Sequence, residues 1–319
     1  MFLPVKADFQ LPHFPVLTVL ICLICSGVFL KQQSDRNEFA MAMTQFCSNS
    51  KSHIEEIIFE RISAAEGMDN CADIMYTIAN DQDRNEAEVI GDMAARMRPL
   101  TGFSEVDSIE YVMQVLEDQA RQYNALVPGD PDEGLAYFTG SWNPWTMITS
   151  SFAHGDWGHI LFNLVFFFAF AATVEVLVGS LWFTAFVLVD SWFIGITGSF
   201  AATLTGNHYW TLGLSGVVMG MMGLFAYLLP KGKIKCYYFF VVIFGSIAIP
   251  GWMLATWYIG GDVVRLIAND DHGVVNVMAH VMGGLGGYLF GLAFLREARK
   301  DAQDIQYDFD RQAFEKRMR

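Results

Sequence analysis

Few polar side chains interrupt the long apolar runs of this 319-residue chain. Near or inside those runs stand His154, His159, Asn163, Glu175, Asp190, Ser215, Asn276 and His280. Polar groups in such segments are expensive and point to function by default. A serine beside a histidine could form an activated nucleophile, the imidazole taking the hydroxyl proton as the oxygen attacks. Attack on an amide creates an oxyanion, which needs hydrogen-bond donors already in position. His159 and Asn163 are spaced i, i+4, so they point from one helix face, and both can donate. The backbone N–H of Ser215 offers a third donor, and Gly213 lets the chain turn sharply just before the serine. An aspartate is missing from the set. Asp270 and Asp271 precede His280 by about ten residues, in a loop, and the arrangement reads as a Ser–His dyad.

These side chains must be brought together by membrane-spanning helices. The chain is 53% hydrophobic with 27 phenylalanines, and the apolar excess lies in long runs, a membrane signature. The spans are expected at 15–30, 159–178, 181–204, 212–229, 236–257 and 277–295. The first reads as an uncleaved signal-anchor helix, because the charged KQQSDRNEFA follows it rather than a cleavage site. Spans two, four and six run in the same direction, so His159, Asn163, Ser215 and His280 all fall near one membrane surface. In span six His280, Gly283, Gly287 and Gly291 share a face, and span four carries Gly216, Gly220 and Gly223. Small-residue faces let two backbones approach closely, which a short serine side chain needs if it is to meet an imidazole on the next helix. The buried Asp190 is expected to bond Ser191, a tryptophan or a backbone group nearby.

Lys231, Lys233 and Lys235 after span four, and Arg296, Arg299 and Lys300 after span six, set the orientation by the positive-inside rule. Both termini are expected in the cytoplasm and the polar cluster at the outer surface. The net charge of −14 is concentrated in one outward region, since 31–146 holds 21 Asp and Glu against 8 Lys and Arg. That balance excludes a nucleic-acid partner, which would need a basic stripe. The region is not low-complexity. Ile109, Val112, Met113, Leu116, Ala120, Tyr123 and Val127 form one helical stripe, and HIEEIIFERISAAEG and RNEAEVIGDMAARMR also read as amphipathic helices. Cys47 and Cys71 are the two cysteines of this outward region, where disulfides persist, and are the candidate bridge. Cys22 and Cys25 lie inside an apolar span with no second pair, so they read as packing residues and not as a metal site.

The stretches FAHGDWGHILFN (152–163), GLSG (213–216) and AHVMGGLGG (279–287) fit H-x4-H-x3-N, G-x-S-G and A-H-x2-G-x3-G patterns. In these motifs the sequence resembles the rhomboid intramembrane serine proteases, over about 142–295 and the first span. The resemblance implies an all-α membrane protein, a six-helix bundle with a small helical extracytoplasmic insert between helices 1 and 2. Its parts are expected at 1–30 (cytoplasmic N-terminus and helix 1), 31–141 (acidic insert), 142–295 (catalytic core) and 296–319 (charged cytoplasmic tail). It implies Ser215 as nucleophile, His280 as general base and acid, and His159 and Asn163 as oxyanion donors. His154 would support the loop above the site and Glu175 would tie helices together on the inner side. It further implies cleavage of single-pass or other transmembrane proteins near the outer surface of the bilayer, with no metal and no cofactor. A bacterial cytoplasmic membrane is the expected location. The sequence departs from the family at Thr146, where an arginine often follows the tryptophan, and at Met219, where a tyrosine commonly stacks on the histidine. The alternative is a catalytically silent relative that only holds membrane clients; such proteins would be expected to lose Ser215 or His280.

Overall fold

The computed structural model describes residues 2–7, 13–49, 51–81, 84–240, 243–268 and 277–318. The elements in chain order are β1 (Phe2–Ala7), α1 (Val16–Ser48), α2 (His53–Glu66), α3 (Cys71–Asn80), α4 (Glu86–Arg96), α5 (Glu105–Leu126), β2 (Tyr137–Phe138), α6 (Pro144–Thr149), α7 (Trp157–Thr205), β3 (Trp210–Thr211), α8 (Ser215–Leu228), β4 (Lys233–Phe240), β5 (Ile243–Pro250), α9 (Gly251–Ile267), α10 (Val277–Phe294) and α11 (Arg296–Met318). They divide into two compact units, residues 1–32 with 132–319, and residues 33–131.

The larger unit is built on apolar helices. Among the described residues three of them, α1, α7 and α10, are long and apolar enough to cross a membrane, and the protein is an integral membrane protein. α7 is broken by Gly179, whose φ of 80° and ψ of 162° are non-helical. Only glycine adopts this backbone readily, so the 49 residues form two helices that meet there. The core gathers phenylalanines, methionines and aliphatic residues of α1, α7 and α8, with Phe167, Phe170, Phe183, Phe186, Met222 and Phe225 almost fully buried.

Two expectations need correction here. The run expected as a fifth span, 236–257, is not one helix: β4 and β5 form an antiparallel hairpin, β1 pairs with β4, and the helix α9 begins only at Gly251. Hydropathy does not separate a helix from an apolar strand. The distinguishing signal is local: Ile234 and Cys236 are buried while Lys233 and Tyr237 are exposed, the period-two alternation of a strand, in a segment rich in β-branched and aromatic residues. Cys236 lies in β4 and is buried. The fold is mostly helical, and two small sheets stand beside the helices. α1 also runs on well past residue 30, and the tail after 295 is helical.

The smaller unit packs α2 to α5 with the end of α1 around Phe46, Ile58, Ile62, Ile74, Ile90, Val112, Leu116 and Tyr123. From the stripe on α5, Val112, Leu116, Ala120 and Tyr123 are buried; Ile109 and Met113 are half-buried. Polar side chains cap the helices: Ser52 and Glu55 form a capping box on α2, as do Asn85 and Glu88 on α4, satisfying the first-turn N–H groups. A disulfide joins Cys47 to Cys71 with Cα atoms 5.9 Å apart. It ties the end of α1 to the start of α3.

Candidate active site

Asp156 starts α7 by accepting the His159 N–H at 2.8 Å, an N-cap that sets His159 in the first turn and Asn163 one turn later. Both side chains reach Gly213. A Cβ built there would stand 2.6 Å from His159 Nε2 and 3.5 Å from Asn163 Nδ2. Gly213 also has φ +118° and donates its N–H to the Ser150 carbonyl at 2.8 Å. The position thus requires glycine twice over, for its backbone and for the side chains beside it. His159 Nδ1 accepts from the Gly155 N–H at 3.4 Å. That leaves the ring proton on Nε2, the nitrogen turned toward Gly213. Asn163 is 7% exposed and its Nδ2 has no partner among the described residues.

Ser215 is the first residue of α8. The N–H groups of a first turn have no partner within their own helix, and the positive end of the helix dipole lies there. The chain entering Ser215 is held by the β2–β3 pairing of Tyr137 with Thr211 and Phe138 with Trp210. Beside Ser215 lies a pocket of about 20 Å³ lined in part by Ser150, Ser151 and Ser191, room for roughly one water.

α8 and α10 touch backbone to backbone. A Cβ on Gly283 would collide with the Gly216 carbonyl, one on Gly287 with the Gly220 carbonyl, and one on Gly223 with the Gly284 carbonyl. A Cβ on Gly216 would stand 3.3 Å from the Ala279 carbonyl oxygen. The chain neighbours of these contacts are Ser215 and His280. Among the described residues Ser215 makes no hydrogen bond to His280. The imidazole instead has Nδ1 2.7 Å from Asp262 Oδ2 of α9.

His154 is fully buried, its ring edge-on to His159 with centroids 5.2 Å apart. The His154 backbone N–H donates to Gln32 Oε1 at 3.0 Å, and Gln32 Nε2 donates to Asp132 Oδ1 at 2.7 Å. Burial above all, and then the nearby His159, pushes His154 down to about 4. On α7, the Glu175 carboxylate accepts from the N–H groups of Leu17 and Thr18 and from the Thr18 hydroxyl at 2.7–2.8 Å, capping the start of α1. Met219 is buried in the core. Asp190 does not bond Ser191, whose hydroxyl turns to the Val187 carbonyl and to Ser151. The Asp190 oxygens have no partner among the described residues and lie against Gly220 and Gly286.

Residues 141–297 match the family model for the rhomboid domain. This part of the chain belongs to the rhomboid family. The chain is similar to the "Putative rhomboid protease YdcA" of Bacillus subtilis (strain 168), 28% identical over 170 residues, which cover 52% of this chain and 73% of that protein. It is also similar to the "RHOMBOID-like protein 12, mitochondrial" of Arabidopsis thaliana, 26% identical over 168 residues, 48% of this chain and 47% of that protein.

Two polar residues at the site carry little signal in the sequence, Asp262 within the rhomboid domain and Gln32 before it. Asp262 falls between the fifth and sixth expected spans, where an acid is unremarkable; the helix Gly251–Ile267 makes it a buried polar residue. Gln32 had no signal beyond standing just after an apolar span. Asp270, Asp271 and Asn276 lie outside the described residues. Among the described residues no group of three His, Cys, Asp or Glu is placed to hold a metal ion.

Proposed function

We propose that the chain is an intramembrane serine endopeptidase that cleaves membrane-anchored proteins near the outer surface of the bilayer. The observation that carries this reading is the cluster at Gly213, where His159 Nε2 and Asn163 Nδ2 converge two residues before a serine at a helix start. Donors directed there would hold the oxyanion that forms when Ser215 Oγ adds to the scissile carbonyl. The Ser215 N–H, at the positive end of α8, would be the third donor. His280 Nε2 takes the hydroxyl proton and returns it to the leaving amine as the C–N bond breaks, leaving an acyl-enzyme for water to hydrolyse. Catalytic hydrogen bonds are often long or misaligned before substrate arrives, so the missing Ser215–His280 bond does not weigh against the pair. His154 would steady His159, and Glu175 would fix α1 against α7. Substrates are transmembrane segments with small residues at their outer boundary. The enzyme would sit in a bacterial cytoplasmic membrane with both termini inside. A silent client-binding relative is disfavoured because Ser215 and His280 are both present.

The test is cleavage of a single-pass reporter carrying small residues at its outer boundary. The wild type is expected to cut it and Ser215→Ala and His280→Ala are not. A fluorophosphonate probe is expected to label Ser215. Undiminished cleavage by Ser215→Ala would sink the mechanism.

A further inference from the structure

We propose that Asp262 is a positioning residue for His280, so that this chain works with a Ser215–His280–Asp262 triad and not a dyad. The inference rests on the serine-protease reading above. His280 and Asp262 are each 8% exposed and belong to different helices, α10 and α9. Their 2.7 Å contact runs through Nδ1. A carboxylate on Nδ1 keeps the ring proton on that nitrogen and leaves the Nε2 lone pair for the serine proton. It also stabilises the imidazolium that forms when the proton arrives. The second carboxylate oxygen, Oδ1, lies 3.5 Å from Arg265 Nη1 one turn along α9. The carboxylate is therefore oriented from both sides.

His280 needs such an anchor. Three and four residues along α10, the positions that share its face, are Gly283 and Gly284, which have no side chains to wedge the ring. Close approach of α8 requires glycine at 283, where a Cβ would meet the Gly216 carbonyl. The close packing of α8 on α10 thus keeps bulky side chains off these two positions. A hydrogen bond from a third helix supplies the orientation instead.

A purely structural link between α9 and α10 would change stability and leave the turnover of folded protein alone. The experiment compares wild type, Asp262→Asn, Asp262→Glu and Ser215→Ala of the full chain in detergent, each scaled to its folded fraction by size-exclusion. Asp262→Asn keeps the shape and loses the charge. It is expected to lower kcat by about 10²-fold or more with KM unchanged, the pattern of an interaction made only in the transition state. Asp262→Glu is expected to recover part of that loss. Wild-type kcat in folded Asp262→Asn, or a loss confined to KM or to the folded fraction, would overturn the proposal. Ser215→Ala separates the two readings. If it stays active, the protease mechanism falls and the triad with it. If it is dead while folded Asp262→Asn is normal, only the aspartate's role falls.

Discussion

Asn163 Nδ2 is buried, is a donor, and has no partner among the described residues. An unused buried donor is destabilising, and it persists where it has work to do for a bound group. On the proposed reading, Asn163→Ala removes one oxyanion donor. Reporter cleavage is expected to drop about 10²- to 10³-fold in kcat, with folding retained. His154 carries a second prediction at this scale. Its folded value of about 4 lies below its ordinary 6.5, so below pH 6.5 the unfolded chain binds a proton that the folded one refuses. Stability is therefore complete above about 6.5 and is lost as the pH falls toward 4. The thermal midpoint in detergent is expected to drop between pH 7 and pH 5, and less steeply in His154→Gln. Asp190 is a buried carboxyl that no donor among the described residues meets, and the contacts around it give no account of its persistence.

Among the elements, the start of α1 depends on one side chain of α7. Glu175 satisfies two first-turn N–H groups and a hydroxyl at once, the charge-assisted form of an N-cap. Glu175→Ala is expected to cost about 2 kcal/mol, seen as a lower unfolding midpoint, while folded protein keeps its turnover because the residue touches no reacting group. The glycines of α8 and α10 were readable from sequence as two small-residue faces, since their spacing alone puts them on single sides of helices. Their partners were not readable. Only packing pairs Gly283 with Gly216 and Gly287 with Gly220. The hairpin of β4 and β5 was missed for a different reason. A window of mean hydropathy is blind to period, and the alternation of Ile234 and Cys236 with Lys233 and Tyr237 is short enough to be lost inside it.

At the scale of the molecule, two units share one chain and are stabilised by different means. The membrane unit relies on packing and backbone contact. The acidic unit of 33–131 has its own apolar core and a disulfide that closes a loop of 24 residues in sequence. Such a closure constrains the unfolded chain and is worth about 3 kcal/mol. Reduction, or Cys47→Ser with Cys71→Ser, is expected to lower the stability of this unit. Mass spectrometry of the unreduced protein is expected to find no free thiol in it. Two free thiols there would contradict the bridge.

Much of the chemistry is local in sequence and could be read from it. His159 and Asn163 share a face by spacing, Gly213 precedes the serine, and long apolar runs demand a membrane; these follow from helix period and from the cost of polar groups in lipid, which act within one segment. What joins segments could not be read. That His280 turns its Nδ1 to Asp262, that Gln32 reaches the His154 backbone, and that Lys233–Phe240 pairs with Ile243–Pro250 as strands all depend on which surfaces meet. Those choices are made by contacts between residues far apart in the chain, and one-dimensional spacing does not encode them.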